Sequence, residues 1–412
     1  MDSTTYLART AGNGDDIALS PAERATHMHV IGATGMGKST LLKSIIAQDV
    51  ASGDGLMLID PHGDLAEYAL DVMPSWRTNQ VCYLAPFDLA RPVALNILEC
   101  HDADARPQAA ENVIAALRGI WPDSWGPRME DILRYSLLAL IAMPGASLAM
   151  LRLFLTDTRY RARVLAHGRD PFTRGYFAAQ YNGLPEAKRQ EWINPILNKV
   201  GAFVAAPALR NILGQASSTL DLAHVMARRQ IVIANLAKGR LGDDPATYLG
   251  ALLIGHLKTA VMARAALTPE ARLPFHLIVD EVQLFGTEVL PSLYSEARKY
   301  GLSITAANQH TGQLSQAFRE SVLNNAGTLA AFRVGPDDAE LLARKFQCDP
   351  SGFLDLGVGE LAVNGRFART YAPPPPRGRA AAVKARSAER YGRPRVEVEA
   401  RLARALQQGA TA

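Results

Sequence analysis

The sequence predicts an α/β protein, a mostly parallel sheet covered on both faces by helices, with an all-α segment inserted into it. Three observations carry this. Short apolar runs of strand length recur along the chain with helical-period segments between them. A glycine-rich loop joins one such run directly to a helix, and the stretch from Ala103 to about Ala227 loses strand character altogether.

Val30-Ile31 ends the first apolar run, and the glycine loop from Gly32 follows at once. Leu41, Leu42, Ile45, Ile46 and Val50 then repeat at helical spacing until Gly53 and Gly55 stop the pattern. Leu56 to Ile59 is a strand closed by Asp60-Pro61-His62-Gly63-Asp64, where proline and glycine force a turn. Further strands are expected at Gln80 to Leu84 and around Val93 to Ile97. Amphipathic helices follow, broken at Trp121-Pro122 and Pro171-Phe172. Ile231 to Ala234 resumes the sheet, and Asp244-Pro245 starts a helix running to about Ala266. Phe275 to Val279 is a strand, a helix from about Glu288 stops at Gly301, and Leu302 to Ala307 is the next strand. Leu329 to Val334 reads as a strand, Pro336 to Phe346 as a helix, and Asn364-Gly365 as a hairpin turn. Pro373 to Pro376 marks the end of the fold, leaving a largely disordered tail in which only Val396 to Leu406 has helical character.

Composition narrows the function classes. The chain has 412 residues, enough for two to three domains, with 48% apolar and 20% charged side chains, which excludes disordered and disulfide-stapled classes. Cys82, Cys100 and Cys348 form no CxxC pair, so neither a zinc ribbon nor a disulfide framework is expected and a reducing compartment is the default. The longest nearly uncharged stretch, between Arg134 and Arg152, is cut by Pro144-Gly145, and Met1 to Gly14 lacks an apolar core of signal-peptide type. These readings lead to the expectation of a cytoplasmic protein with no transmembrane segment of its own. Net charge is +4, but the segment Pro373 to Ala412 holds nine basic residues against three acidic ones. That asymmetry fits either a polyanion-binding tail, acting through counterion release, or a solvated one.

The chemistry centres on Gly32 to Ser39, a full GxxxxGK[ST] match. Glycines at Gly32, Gly35 and Gly37 let successive amides turn inward around phosphate oxygens, with Thr34, Met36 and Thr40 completing the cradle, and the following helix adds its N-terminal dipole. Lys38 supplies a mobile charge to the β and γ phosphates, and the Ser39 hydroxyl is a Mg²⁺ ligand. ATP and Mg²⁺ are therefore the expected cofactors. Such a loop needs an acidic partner at a strand end, and Val279-Asp280-Glu281 provides it: Asp280 for the magnesium water shell, Glu281 to polarise the attacking water. Asp280 lies 242 positions after Lys38, a gap that an inserted domain explains. Gln309 follows the strand Leu302 to Ala307 and reads either as a γ-phosphate sensor or as a polar loop residue. Arg298 precedes that strand and reads either as a trans-acting arginine or as an exposed helix residue. His27 and His29 share one strand face, where packing outweighs metal binding; no metal other than Mg²⁺ is indicated.

Several stretches together resemble the HerA–FtsK superfamily of motor ATPases, in the branch of type IV secretion coupling proteins. They are Gly32 to Thr40, Leu58 to Asp64, Ala208 to Leu213, Asn235 to Gly239, Ile278 to Glu281 and Thr305 to Gln309. The resemblance implies a RecA-like P-loop motor domain with an all-α insertion, assembled as a homo-hexameric ring that translocates DNA by hydrolysing ATP. It implies catalytic roles for Lys38, Glu281 and Gln309. In this family the arginine finger lies eleven residues before the sensor glutamine, where Arg298 falls. The implied division is 1–102 and 228–372 for the motor domain, 103–227 for the insertion, and 373–412 for the basic tail. A relaxase and secretion-channel proteins are the implied partners, with peripheral placement at the inner membrane through them. Two other readings remain open at this level: a HerA-like motor partnered with a nuclease in repair or defence, and a non-motor nucleotide switch that scaffolds partners.

Overall fold

The computed structural model describes residues 4–10, 12–285 and 288–411, with side chains through residue 407; the start of the polar N-terminal stretch, residues 1–3, lies outside it. Among the described residues there are eleven strands: β1 (Thr5–Thr10), β2 (Asp16–Leu19), β3 (Met28–Ile31), β4 (Gly55–Asp60), β5 (Val81–Leu84), β6 (Ile231–Asn235), β7 (Phe275–Val279), β8 (Leu302–Asn308), β9 (Thr328–Ala331), β10 (Glu360–Val363) and β11 (Arg366–Thr370). They form one sheet in the order β2-β1-β11-β10-β9-β3-β8-β7-β4-β6-β5. The seven strands from β9 to β5 are all parallel, and the remaining four are added antiparallel at one side.

The central strands are buried along their whole length, which is why they read as unbroken apolar runs without alternation. The helices Lys38–Ser52 and Asp64–Asp71 press Leu41, Ile45, Leu65 and Leu70 against Val30, Leu58 and Ile278 of the sheet in one continuous core. The hairpin β10–β11 turns on Asn364 and Gly365, both at positive φ, as the Asn-Gly pair requires.

The chain divides into two compact units. The first comprises Met1–Leu84, Leu222–Lys238 and Ala260–Ser387 and contains the whole sheet; the second comprises Ala85–Asp221, Gly239–Thr259 and Ala388–Ala412. Among its described residues the second unit has helices and no strand. Against the 103–227 expected for the insertion, it begins earlier, at Ala85, leaves 222–227 to the first unit, and adds Gly239–Thr259 and Ala388–Ala412; the helix Asp243–Ala263 runs across its border. The segment Val93 to Ile97 is buried but forms only an isolated bridge, Val93 to Gly392, in place of the expected strand. Asp243–Ala266 is the one stretch among the described residues long and apolar enough to span a membrane by length and composition, and 67% of its 18-residue apolar window is buried within the protein as core helix.

The tail requires the largest correction. Residues 373–412 are not largely disordered: they hold helices Ala380–Tyr391 and Arg395–Thr411. Val383 belongs to the core of the first unit, while Tyr391, Val398 and Leu402 are buried in the second. The last helix packs on the helices Leu151–Thr156, Thr158–His167 and Pro207–Leu213. Its basic side chains are largely tied to the rest of the protein. Lys384 pairs with Glu67 at 2.6 Å, Arg379 donates to Thr78, Arg386 to Asn79, and Arg393 to Gln215 and Ser217. Each buried apolar side chain of this kind stabilises by about 1.5–3 kcal/mol. Deleting residues 373–412 is accordingly expected to lower the unfolding free energy by several kcal/mol, read as a lower midpoint in urea melts followed by circular dichroism. A midpoint equal to that of the full chain would return the segment to the status of a detachable basic tail.

Candidate active site

The glycine loop crosses from β3 to the helix Lys38–Ser52 at the carboxyl end of the sheet. Its backbone is held from three sides: the amide of Ala33 donates to Arg333 (2.9 Å), that of Gly32 to Asn308 (3.4 Å), and that of Gly359 to the carbonyl of Met36 (2.9 Å). A Cβ on Gly32 would lie 2.5 Å from Phe332 Cβ, and one on Gly37, at φ 122°, would lie 2.9 Å from the Phe332 ring. Both positions thus require glycine for space, and Gly37 for backbone conformation as well. The loop leaves Thr34, Gly35 and Ser39 facing solvent, while Met36 packs inward. The first-turn amides at Lys38, Ser39 and Thr40 are the donors a helix start cannot satisfy internally, which makes this end of the helix an anion site.

Lys38 is buried, and its Nζ donates to the carbonyls of Gly32 (2.5 Å) and Ala33 (3.4 Å). Burial lowers its pKa, and the nearby Glu281 and Asp280 carboxylates counter that pull. Those carboxylates come from the end of β7. β7 does not neighbour β3 directly: β8 lies between them, so Gln309, just past β8, sits between the loop and the acidic pair. Gln309 Nε2 donates to Glu281 Oε1 at 3.4 Å, and Gln283 Nε2 donates to Oε2 at 2.6 Å.

Asp280 is 5% exposed, and its pKa is pushed up to about 6 by burial and by the charges of Glu281 and Asp60. Together with the Ser39 hydroxyl it offers hard oxygen donors on one side only, the donor set of a cation that keeps most of its water and binds phosphate oxygens as well. These residues fit Mg²⁺. Glu281 adopts φ 46°, a left-handed conformation costing a non-glycine residue on the order of 1 kcal/mol or more, and its amide is tied to Asp280 Oδ1 at 3.0 Å.

Several residues support this cluster, Asp60 and Asn308 from within the matched stretches, His29 and Gln313 from outside any motif. Asp60, fully buried at the end of β4, accepts from the amides of His62 and Ala66 and so fixes the turn beside Asp280. His29 packs between Tyr294 and Phe318 and bonds Asn308 through Nε2 at 2.9 Å; Asn308 in turn donates to the His310 carbonyl, which shapes the turn holding Gln309. Gln313 closes that turn by accepting from the amide of Gln309. His29 is thus a packing residue, its pKa pushed down to about 4 by burial.

Arg298 is not in this cluster. It lies exposed in the turn Ala297–Tyr300 that enters β8, at the amino edge of the sheet, whereas Gln309 leaves β8 at the carboxyl edge. A strand of seven residues separates the two edges by roughly 20 Å at 3.3 Å per residue. Arg298 instead stands close enough to His27 that its charge, after burial, helps hold that imidazole neutral, with a pKa of about 4.

A phosphate-binding loop, a buried acidic strand end and a glutamine on the strand between them define a RecA-like P-loop NTPase. Residues 13–109 match the family model described as the central domain of helicase HerA, and residues 274–346 match the one described as the TraM recognition site of TraD and TraG. No curated protein matches the chain in sequence. Among solved structures, the bacterial conjugative coupling protein TrwBdeltaN70 superposes with a TM-score of 0.65 at 14% identity over 91% of each chain. TrwB in complex with ADP and Mg²⁺ gives 0.62 at 15% identity, covering 88% of this chain and 89% of that one. VirB4 of Thermoanaerobacter pseudethanolicus gives 0.55 at 14% identity over 90% and 96%. The two family models each match part of the chain, and the solved structures, at 14–15% identity, share its fold.

Lys38→Ala removes the one cation inside the loop, and productive nucleotide turnover is expected to be lost because amides alone do not neutralise the β and γ charges. Glu281→Gln is expected to keep Mg·ATP affinity within a few-fold while slowing hydrolysis by about 10²-fold or more. Both are read by nucleotide-binding fluorescence beside phosphate release; near-wild-type turnover in either variant would move the chemistry elsewhere.

Proposed function

We propose that the chain is an ATPase motor, hydrolysing ATP to ADP and phosphate to move DNA, and that it serves as a coupling protein delivering DNA or a relaxase–DNA complex toward a type IV secretion channel. The observation that carries this is the convergence of Lys38, Asp280, Glu281 and Gln309 at one sheet edge, in a fold shared with TrwB over nine tenths of both chains.

The loop amides and Lys38 bind the triphosphate. Ser39 and Asp280 would hold Mg²⁺, which would supply charge neutralisation to the triphosphate. Glu281 accepts a proton from the water that attacks the γ phosphorus, and Gln309, hydrogen-bonded to Glu281, aligns that water and registers the γ phosphate. Gln283 holds the second Glu281 oxygen, fixing the carboxylate's direction. Arg298 lies a strand length from its own loop, so it serves the site of a neighbouring copy, and a homo-hexameric ring is the assembly that satisfies every site.

Hydrolysis is expected to rise several-fold on adding DNA; a rate indifferent to DNA would favour the nucleotide-switch reading. Arg298→Ala is expected to bind ATP normally and to hydrolyse it about 10³-fold more slowly, since the charge acts mainly in the transition state. Mixing Arg298→Ala with Lys38→Ala then restores part of the turnover, because the first keeps an intact loop and the second lends its arginine. Full activity in a stable monomer would overturn the ring.

A further inference from the structure

The helical unit contains a cavity of about 330 Å³ far in sequence from every motif of the nucleotide site. It opens where the start of the helix Arg106–Ile120 meets the ends of Pro127–Ala142 and Thr158–His167. The floor is apolar, made by Leu138, Ala139, Ala142 and Leu165, and the rim carries three guanidinium groups, Arg106, Arg169 and Arg174.

The rim is unbalanced. Its one carboxylate, Asp170, is already committed: it accepts from the amides of Phe172 and Thr173 and from the Thr173 hydroxyl (2.6 Å), and these bonds, the hydroxyl first, hold its pKa below the usual range. None of the three arginines forms an ion pair among the described residues, and the Arg106 Nε is buried with no hydrogen-bond partner. Beside the cavity Phe172 is 79% exposed, level with the most exposed large apolar side chains described. An apolar hole of ligand size, an orphaned guanidinium nitrogen at its edge and a surplus of cations around it demand an occupant that is both apolar and anionic.

We infer that this cavity is a docking site for a protein partner's acidic peptide segment, with one aliphatic or aromatic side chain entering the apolar floor and carboxylates meeting Arg106, Arg169 and Arg174. Arginine suits that task because its planar fork pairs with carboxylates in bidentate fashion. The apolar floor favours a peptide over a nucleic acid, whose phosphates would meet the rim and leave the hole empty. The carboxylate is either an Asp or Glu side chain or a chain end; both offer the same fork. The inference makes no use of nucleotide chemistry and stands or falls separately from the motor reading.

The test uses the full chain and a panel of fluorescein-labelled pentapeptides, each with one Leu or Phe among Asp and Glu residues, made with free and with amidated C-termini. Control peptides replace Asp and Glu by Asn and Gln, or the apolar residue by Ser. Anisotropy titrations are expected to give saturable binding for the acidic-apolar peptides and affinities roughly tenfold or more weaker for both kinds of control, the scale of one lost charge-assisted pair. The amidated set shows which carboxylate is read. The double variant Arg169→Glu, Arg174→Glu weakens binding by at least about tenfold. Gly168→Leu narrows the cavity mouth and does the same. Gly168 has an ordinary φ of −75°, and a Cβ there meets only Ala142 Cβ at 3.8 Å and the Leu165 carbonyl at 3.9 Å, so this variant is expected to fold. ATP hydrolysis and melting temperature stay unchanged in both variants. The inference is overturned if no panel member binds below about 1 mM, or if the variants bind as the parent does. It is overturned equally if a single-stranded oligodeoxythymidine displaces the peptide with an affinity that falls in the arginine variant, which would make the rim a nucleic-acid contact.

Discussion

The close approach of the glycine loop to Phe332 and Gly359 is the contact on which the site depends. Any side chain at Gly32 would collide with Phe332 within 2.5 Å, and one at Gly37 would meet both the Phe332 ring and the Gly359 backbone. The loop is thereby pressed against the end of β9, the strand beside β3, by residues some three hundred positions away in sequence. Its curvature is fixed by tertiary packing before any ligand arrives, which is how backbone donors are held in place for phosphate without reorganisation.

The strand order converts that local shape into chemistry. With β8 between β3 and β7, the three strand ends present a cation, an amide and two carboxylates in sequence along one edge. Three polar side chains behind them are tied into the surrounding turns. Asp60 is consumed by the turn at His62 to Ala66, Asn308 by His29 and His310, and Gln313 by the amide of Gln309. The positive φ of Glu281 marks where the backbone is strained beside the phosphate position.

How much was legible in the sequence follows from the physics of each element. Buried parallel strands such as β4, β6 and β7 announce themselves as apolar runs, and the glycine loop is local in sequence, so both could be read directly. The antiparallel side of the sheet was harder. β1 is half exposed and mixed in composition, and its pairing with β11 spans the whole chain. Val93 to Ile97 misled in the opposite direction: it is apolar because it is buried, yet no ladder partner lies beside it beyond one bridge. The Gln283 bond to Glu281 carries no spacing rule at all, since a glutamine two residues past an acidic strand end is ordinary until the turn folds it back.

The basic tail shows why charge composition locates a partner's sign but not its place. Nine cations against three anions suggested a polyanion outside the molecule. The structure supplies acceptors inside it: Glu67 for Lys384, hydroxyl and amide oxygens for Arg379, Arg386 and Arg393, and Glu399 one turn away for Arg395. Neutral acceptors satisfy a guanidinium's hydrogen bonds without cancelling its charge, so such a segment is held by short contacts and apolar anchors such as Val383 while still carrying a positive field. Ser387 adds a backbone tie, accepting from the Tyr83 amide of β5, the outermost strand of the sheet. An exposed edge strand is a pairing hazard, and a helix laid along it covers that edge. The segment that composition alone would detach from the fold is therefore part of what closes it.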